Sequence, residues 1–307
     1  MDRELIDAIN RGNYGWRAAN YSQFWGMTLE DGVRYRLGTF RPSPTVMNMN
    51  EMHVSRHGRE GKLRHAEGEP CLSHGLAQCF TIPSAAVASD RISIHSMGHM
   101  TPALSPQNLL SCDTRNQRGC SGGRLDGAWW YLRRRGVVAD ECYPFTSQES
   151  QPAAQPCMMH SRSTGRGKRQ ATARRCRGSR PRYHPVLCLQ EKEIMKELLE
   201  NGPVQAILEV HEDFFMYKSG IYRHTPVAEG KGPKHQRHGT HSVKITLWPQ
   251  VTRPCPVSPP QTAANSWGTA WGEGGHFRIA RGVNECEVET FVVGVWGRVS
   301  MEDVPHK

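Results

Sequence analysis

The most informative stretch of this 307-residue chain is Leu104-Ser105-Pro106-Gln107-Asn108-Leu109-Leu110-Ser111-Cys112, which is followed by Gly119-Cys120-Ser121-Gly122-Gly123. A second informative stretch lies far downstream and reads Ala264-Asn265-Ser266-Trp267-Gly268. It continues with Trp271-Gly272 and Gly275-His276-Phe277-Arg278-Ile279. The periodicity of the residues around these stretches predicts the type of secondary structure that carries them.

Two segments predict helices. Residues 126–135 follow Leu125 and end at Gly136, a residue type that commonly stops a helix; Leu125, Trp129 and Leu132 share one face. Residues 191–200 are ended by Asn201-Gly202-Pro203, and their apolar stripe consists of Ile194, Met195, Leu198 and Leu199.

Three later segments predict strands: Val204 to Val210, His241 to Trp248 and Phe291 to Val299. The second places Val243 and Ile245 on one face, and the third is apolar nearly throughout, which predicts burial. Helices early in the chain and strands late in it predict an α+β protein rather than a doubly wound sheet.

The two informative stretches resemble the substrate-binding segment and the Asn-Ser-Trp-Gly block of the papain-type cysteine peptidases. Asn201-Gly202-Pro203-Val204 and Tyr217-Lys218-Ser219-Gly220-Ile221-Tyr222 are similar to the cathepsin B branch of that family. Trp16 to Thr39 resembles the end of a cathepsin B-type propeptide. The resemblance implies a helical lobe, a β-barrel-like lobe and a cleft between them. It also implies a propeptide-like segment over residues 1–52, a peptidase domain over 53–300 and a tail over 301–307.

The resemblance assigns chemistry to individual residues. His241 lies where the family has its proton-holding histidine, Asn265 where the family orients that histidine, and Trp267 where the pair is shielded. Gly122 and Gly123 would line the substrate cleft, because glycine lets a peptide backbone approach closely.

The nucleophile is the weak point of the resemblance. Counting back from Ala85-Ala86-Val87 puts Cys79 at the catalytic position, but Leu76 and Ser73 stand where the family has a disulfide cysteine and the oxyanion glutamine. Pro83 cannot donate an amide to the carbonyl of residue 79, so the helix is expected to start at Pro83 or Ser84. Cys79 would then lie about one turn outside it, with a pKa close to the ordinary value of about 8.5.

Three windows, at about residues 53–83, 174–190 and 247–261, interrupt the family pattern abruptly. Each is rich in Arg, His, Pro, Gly or Cys and lacks clear periodicity. We interpret them as misread exon junctions or intron sequence in a gene model, which cloned transcripts would test. A chain with three foreign windows and one family disulfide missing would lose about 2–5 kcal/mol from the disulfide alone, so a product that does not fold is a further hypothesis.

Composition limits the other function classes. No apolar run is long enough to span a membrane, and no signal peptide is visible at the start of the chain, which leaves an internal fragment or a cytosolic chain. Ten scattered cysteines favour an oxidising location instead, and no Cys-x-x-Cys pair occurs. His235, His238 and His241 lack neighbouring carboxylates, so we expect no metal and no other cofactor.

The net charge of +10 is concentrated at Arg133-Arg134-Arg135 and from Arg162 to Arg182. These stretches are either solvated loops or sites for polyanions such as glycosaminoglycans; nucleic acid is disfavoured because no aromatic residues are interleaved in the longer one. Asn20-Tyr21-Ser22 is a glycosylation acceptor if the chain is secreted.

Two functions remain open. A narrower resemblance connects Phe24-Trp25-Gly26-Met27-Thr28-Leu29, Met47-Asn48-Met49, Ala128-Trp129-Trp130 and Cys157-Met158-Met159-His160 to a secreted, non-catalytic branch of matrix glycoproteins, in which serine replaces the nucleophile. It predicts an extracellular peptidase homologue that binds matrix or cell-surface proteins. The alternative is an active cysteine endopeptidase that cleaves peptide substrates with Cys79, His241 and Asn265.

Overall fold

The computed structural model describes residues 3–42, 46, 80–115, 117–119, 122–145, 156–159, 182–188, 191–229, 239–247 and 260–298. The helices are α1 (Arg3–Gly12), α2 (Leu29–Arg36), α3 (Thr81–His95), α4 (Pro106–Cys112), α5 (Leu125–Arg135), α6 (Glu191–Asn201) and α7 (Pro226–Glu229). Short 3-10 turns occupy Ser22–Phe24, Glu212–Met216 and Glu285–Glu287. The strands are β1 (Trp16–Ala18), β2 (Thr39–Phe40), β3 (Gly123–Arg124), β4 (Arg182–Cys188), β5 (Val204–Val210), β6 (Tyr217–Tyr222), β7 (Gly239–Leu247), β8 (Gln261–Ala264), β9 (His276–Ile279) and β10 (Val292–Arg298).

Eight strands form one sheet in the order β1-β6-β9-β8-β7-β5-β10-β4. Neighbouring strands are antiparallel except β6 and β9, which are parallel. The short strands β2 and β3 pair in parallel, outside this sheet. The predicted α+β class is therefore confirmed, and the N-terminal residues contribute β1 to the main sheet.

The core divides into two main clusters. One fills the sheet side, where the aromatic residues Phe214, Trp267 and Trp271 meet apolar residues of the N-terminal segment such as Phe24. The other lies between α3, α4, α5 and the opposite side of β5 and β10, and it includes Phe80 and Trp129. The strands β5 and β10 thus contribute residues to both clusters, which places the helical lobe against one end of the sheet.

Local signals explain several helix ends. Thr28 and Asp31 form a capping box at the start of α2, since each side chain accepts the other residue's amide. Ser105 caps α4 and Pro106 takes its first position, where no amide partner is needed. Gly136 ends α5 with φ of 67°, as predicted, and the predicted face of Leu125, Trp129 and Leu132 is buried.

Several predicted boundaries need correction. The helix near Cys79 begins at Thr81 with Phe80 as its N-cap, not at Pro83 or Ser84. Pro83 fits inside the first turn because the first four amides of a helix have no intrahelical partner. The helix therefore starts two residues earlier than expected, while Cys79 itself lies outside the described residues.

The predicted stripe of α6 was also wrong at one position. Leu199 is 38% exposed, while the buried face is formed by Ile194, Glu197, Leu198 and Asn201. Glu197 takes an inward position because it accepts a 2.6 Å hydrogen bond from the buried guanidinium of Arg91.

Regular elements extend into the edges of the three windows. α3 starts inside the first, β4 lies inside the second and β8 begins at the end of the third. Pro185 is tolerated in β4 because that strand is at the sheet's edge and pairs only with β10. Apart from residues 80, 247 and 260, the other window residues lie outside the described part of the chain.

Candidate active site

His241 and Asn265 are brought together by the pairing of β7 with β8. Lys244 in β7 lies opposite Ala264, the last residue of β8, so Asn265 emerges beside the start of β7. The distance from Nε2 of His241 to Oδ1 of Asn265 is 2.9 Å. In the neutral ring this contact places the proton on Nε2, so Nδ1 is the nitrogen that can accept a proton from another group.

Trp267 closes the site on one side. Its ring centroid lies 5.3 Å from that of His241, and it stacks on Phe215 at 4.9 Å with an interplanar angle of 8°. Trp267 is 2% exposed, and its Nε1 donates a 3.2 Å hydrogen bond to the carbonyl oxygen of Arg36. The indole therefore keeps water from His241 and also binds the end of α2.

Burial sets the protonation of the histidine. His241 is 2% exposed, and desolvation lowers its pKa to about 4, although the hydrogen bond to Asn265 acts in the opposite direction. A neutral imidazole at physiological pH can act as a base. An anion such as a thiolate beside the ring would raise this pKa again.

A buried glutamine connects the helical lobe to this strand. Gln205, in β5, accepts 2.9 Å hydrogen bonds from Ser84 Oγ and from Trp129 Nε1. Its amide nitrogen lies 3.3 Å from both Phe80 O and Ser242 Oγ. The start of α3 is thereby fixed beside the residue that follows His241. The sequence signal for this role is the one amide side chain within the largely apolar strand Val204–Val210, and periodicity alone does not single it out.

Gly122 and Gly123 lie on the opposite wall, where the chain's own backbone contacts them. The amide of Gly123 donates a 2.8 Å hydrogen bond to the carbonyl oxygen of Gly38, and β2 pairs with β3 from Thr39 onward. A Cβ on Gly122 would lie 2.5 Å from that same oxygen of Gly38, and its φ of 104° favours glycine as well. These two glycines admit a close-lying strand, which in this structure is residues 38–40.

The same N-terminal segment is held from the sheet side. Thr240 Oγ1 donates to the carbonyl oxygen of Thr39, directly before His241 in sequence. Arg41 pairs with Glu209 and, at 2.8 Å, with Glu287. A small cavity of about 70 Å³ remains beside Arg41 and Glu209. Residues 38–41 therefore lie between the two walls of the cleft.

The N-terminal residues are held in place more strongly by apolar burial than by the ion pairs of Arg41. Arg41 is 46% exposed at its side chain, and such pairs contribute about 0–1 kcal/mol. Burying one large apolar side chain is worth about 1.5–3 kcal/mol as an upper estimate. Residues 3–37, which precede residues 38–41, contribute six core residues, each at most 6% exposed: Leu5, Ile9, Trp16, Ala18, Phe24 and Leu37.

Cys79, Leu76 and Ser73 lie outside the described residues, so the nucleophile and oxyanion assignments stay predictions. The described part of the chain offers a neutral histidine oriented by an amide, beside a helix start and a covered cleft. His235 and His238 are also outside it, and none of the described residues forms a cluster of metal-binding side chains.

Cysteine pairing is visible at two places. Cys112 and Cys157 form a disulfide with Cα atoms 4.7 Å apart, and Cys142 is also disulfide-bonded. Disulfides confirm the prediction that cysteines pair in this chain. The described helices include no candidate membrane span.

Comparison with known proteins finds a family and several relatives that agree with one another. Residues 75–296 match the papain family of cysteine proteases. The chain is 59% identical over its full length to "Tubulointerstitial nephritis antigen-like" of Homo sapiens, covering 70% of that protein, and 58% identical to the Rattus norvegicus protein with the same coverage. It is 45% identical to human "Tubulointerstitial nephritis antigen", over 98% of this chain and 67% of that one.

A solved structure shows the same fold. The chain superposes on procathepsin B S9 from Trypanosoma congolense with a TM-score of 0.73, covering 97% of this chain and 99% of that one. The two sequences are 24% identical, so this likeness concerns the fold alone. It confirms the expected architecture of two lobes with a cleft.

Proposed function

The chain belongs to the papain family of cysteine proteases, and we propose that it is a member without protease activity that acts by binding extracellular matrix or cell-surface partners. The observation that carries the proposal is the occupied cleft. Residues 38–41 lie along Gly123 on one wall and reach Glu209 on the other, beside His241. A peptide substrate would need this same space.

The sequence around the expected nucleophile supports the same conclusion. Leu76 and Ser73 stand where a disulfide cysteine and an oxyanion donor are needed. Removing one oxyanion donor costs about 10²–10³ in rate.

An extracellular location is supported by covalent chemistry. The disulfide between Cys112 and Cys157 would be unusual in a reducing compartment. Asn20, the acceptor of the glycosylation triplet, is exposed in a loop before the first 3-10 turn. Both observations fit a secreted glycoprotein, as does the similarity to the tubulointerstitial nephritis antigen-like proteins.

The second candidate is an endopeptidase kept inactive by its own N-terminal segment. The hydrogen bond between His241 and Asn265 favours it, since a protein without activity has no catalytic need for this geometry. In that case cleavage after residue 42 would release the segment and uncover the cleft. The burial of Trp16 and Phe24 in the sheet core opposes such release.

Active-site titration with an epoxide-type cysteine peptidase inhibitor, read by intact mass, separates the two. The full chain is compared with a chain cut at a protease site engineered between residues 43 and 52, and the C79S variant is the control. We expect no adduct on Cys79 in either sample, and the cut segment should stay bound during gel filtration. An adduct that is lost in C79S would establish the endopeptidase.

Matrix binding needs its own test. The purified, folded chain is incubated with cell-derived extracellular matrix, and the retained fraction is measured after washing. Retention that saturates with concentration supports the proposal. A folded chain that washes off completely would contradict it.

A further inference from the structure

Two arginines flank one exposed tryptophan on the outer side of α5. The Cζ atom of Arg115 lies 5.0 Å from the ring centroid of Trp130, and that of Arg134 lies 5.9 Å from it. Trp130 is 41% exposed, although the neighbouring Trp129 is buried in the core. The helix therefore does not need Trp130 for its packing.

The surroundings of this cluster are strongly positive. Arg133 and Arg135 are also exposed, and no ion pair joins any of the four arginines to a carboxylate in the described part of the chain. Arg115 interacts electrostatically with Asp113, a carboxylate that is only 3% exposed. A surface of this kind attracts anions.

Helix stability alone does not explain the cluster. Arginines in the last turn of a helix interact with its negative end, which is worth about 0.3–1 kcal/mol each. This applies to Arg133, Arg134 and Arg135 in α5. It does not apply to Arg115, which comes from the loop after α4 and still lies over the ring of Trp130.

We propose that Arg115, Trp130 and Arg134 form a binding site for sulfated polysaccharide of the glycosaminoglycan class, which names the partner chemistry of the proposed matrix function and rests on it. A cation held over an aromatic ring keeps its charge and its N–H donors. Guanidinium groups bind tetrahedral oxyanions with paired hydrogen bonds, and sulfate groups offer such oxygens. The ring fixes both guanidiniums in advance, so less side-chain entropy is lost on binding.

The geometry favours sulfated sugar over nucleic acid. Single-stranded nucleic acids gain much of their affinity by stacking bases on free aromatic faces. Both guanidiniums already lie over the Trp130 ring, so a base would have to displace one of them. A sulfate needs only the outward N–H edges.

The test measures binding of a fluorescent heparin octasaccharide to the full chain at physiological ionic strength. We expect R115Q/R134Q to weaken binding about tenfold, which corresponds to about 0.7 kcal/mol for each arginine. The matched control is K192Q/K196Q, which removes two exposed charges from α6 and should change affinity less than about twofold. W130L keeps every charge and should still weaken binding, because it removes the aromatic ring over which the two guanidinium groups lie.

Three outcomes would overturn the site. R115Q/R134Q could equal K192Q/K196Q, which would mean that net charge or the basic stretch from Arg162 to Arg182 binds the sugar. W130L could bind like the unmodified chain, which would leave no role for the ring. Single-stranded DNA of the same charge could compete as well as heparin, which would contradict the preference for sulfate. No peptidase substrate is present in these assays, so an active Cys79 would contradict the proposed function without altering this result.

Discussion

The amide of Gly123 lies 2.8 Å from the carbonyl oxygen of Gly38, so the N-terminal segment is bound as an added strand on the wall of the cleft. The preceding glycine makes this close approach possible. With a side chain at Gly122, the carbonyl oxygen of Gly38 would have to move. The relationship between these residues can therefore be tested by a single methyl group.

We predict that G122A displaces residues 38–40 from the cleft. The new Cβ would lie 2.5 Å from Gly38 O, and the φ of 104° adds strain of about 1–3 kcal/mol. Hydrogen exchange should accelerate at the amides of Gly123 and its neighbours. The control is G26A, where φ is 74° but no atom lies within 4 Å, so strain is present without the clash. Equal exchange in both variants would contradict the prediction.

The low pKa of His241 predicts a defined loss of stability in acid. The folded pKa of His241, about 4, lies below the unfolded value of 6.5, so acid protonates the unfolded chain first. The contribution of neutral His241 to the free energy of unfolding is therefore complete above pH ~6.5 and is lost as the pH falls toward 4. The full difference is about 3 kcal/mol. In H241Q, the free energy of unfolding measured with denaturant should lack this decrease between pH 7 and pH 4. The control H99Q retains His241 and should keep it.

Trp267 should be the most sensitive aromatic residue near the site. It is 2% exposed, stacks on Phe215 and donates to Arg36 O, so W267A is expected to cost about 3–5 kcal/mol of unfolding free energy. W25A provides the comparison, because Trp25 is 68% exposed and its removal should change stability by less than about 0.5 kcal/mol. Similar losses in the two variants would contradict the packing described for Trp267.

Asn20 should carry a glycan when the chain passes through the secretory pathway. The residue is exposed, while Tyr21 beside it is anchored by a 2.7 Å hydrogen bond from its hydroxyl to Tyr217 O. Treatment with an N-glycosidase should lower the mass of the secreted chain. Both N20Q and S22A should abolish that shift, and S22A is informative because it keeps the asparagine. A glycan on S22A would mean that another site is used.

The sequence predicted local elements well where a short-range signal was present. Gly136 stops α5, Val204–Val210 is a strand, and the apolar spacing of Leu125, Trp129 and Leu132 identified the buried face. The start of α3 differs from the prediction because Pro83 fits inside the first turn and Phe80 is the N-cap. Leu199 was placed inside because the pattern cannot show that Glu197 has a buried partner in Arg91.

The sequence alone determined the family, the α+β class and the pairing candidates His241 and Asn265, because these depend on motifs whose residues are adjacent in the chain. Tertiary structure decided what depends on residues far apart. The register of β7 against β8 set the 2.9 Å contact of His241 with Asn265. The path of residues 38–41 filled the cleft, and loop geometry placed Arg115 over Trp130. Such contacts arise because chain closure and packing bring distant residues together, and no local periodicity encodes that distance.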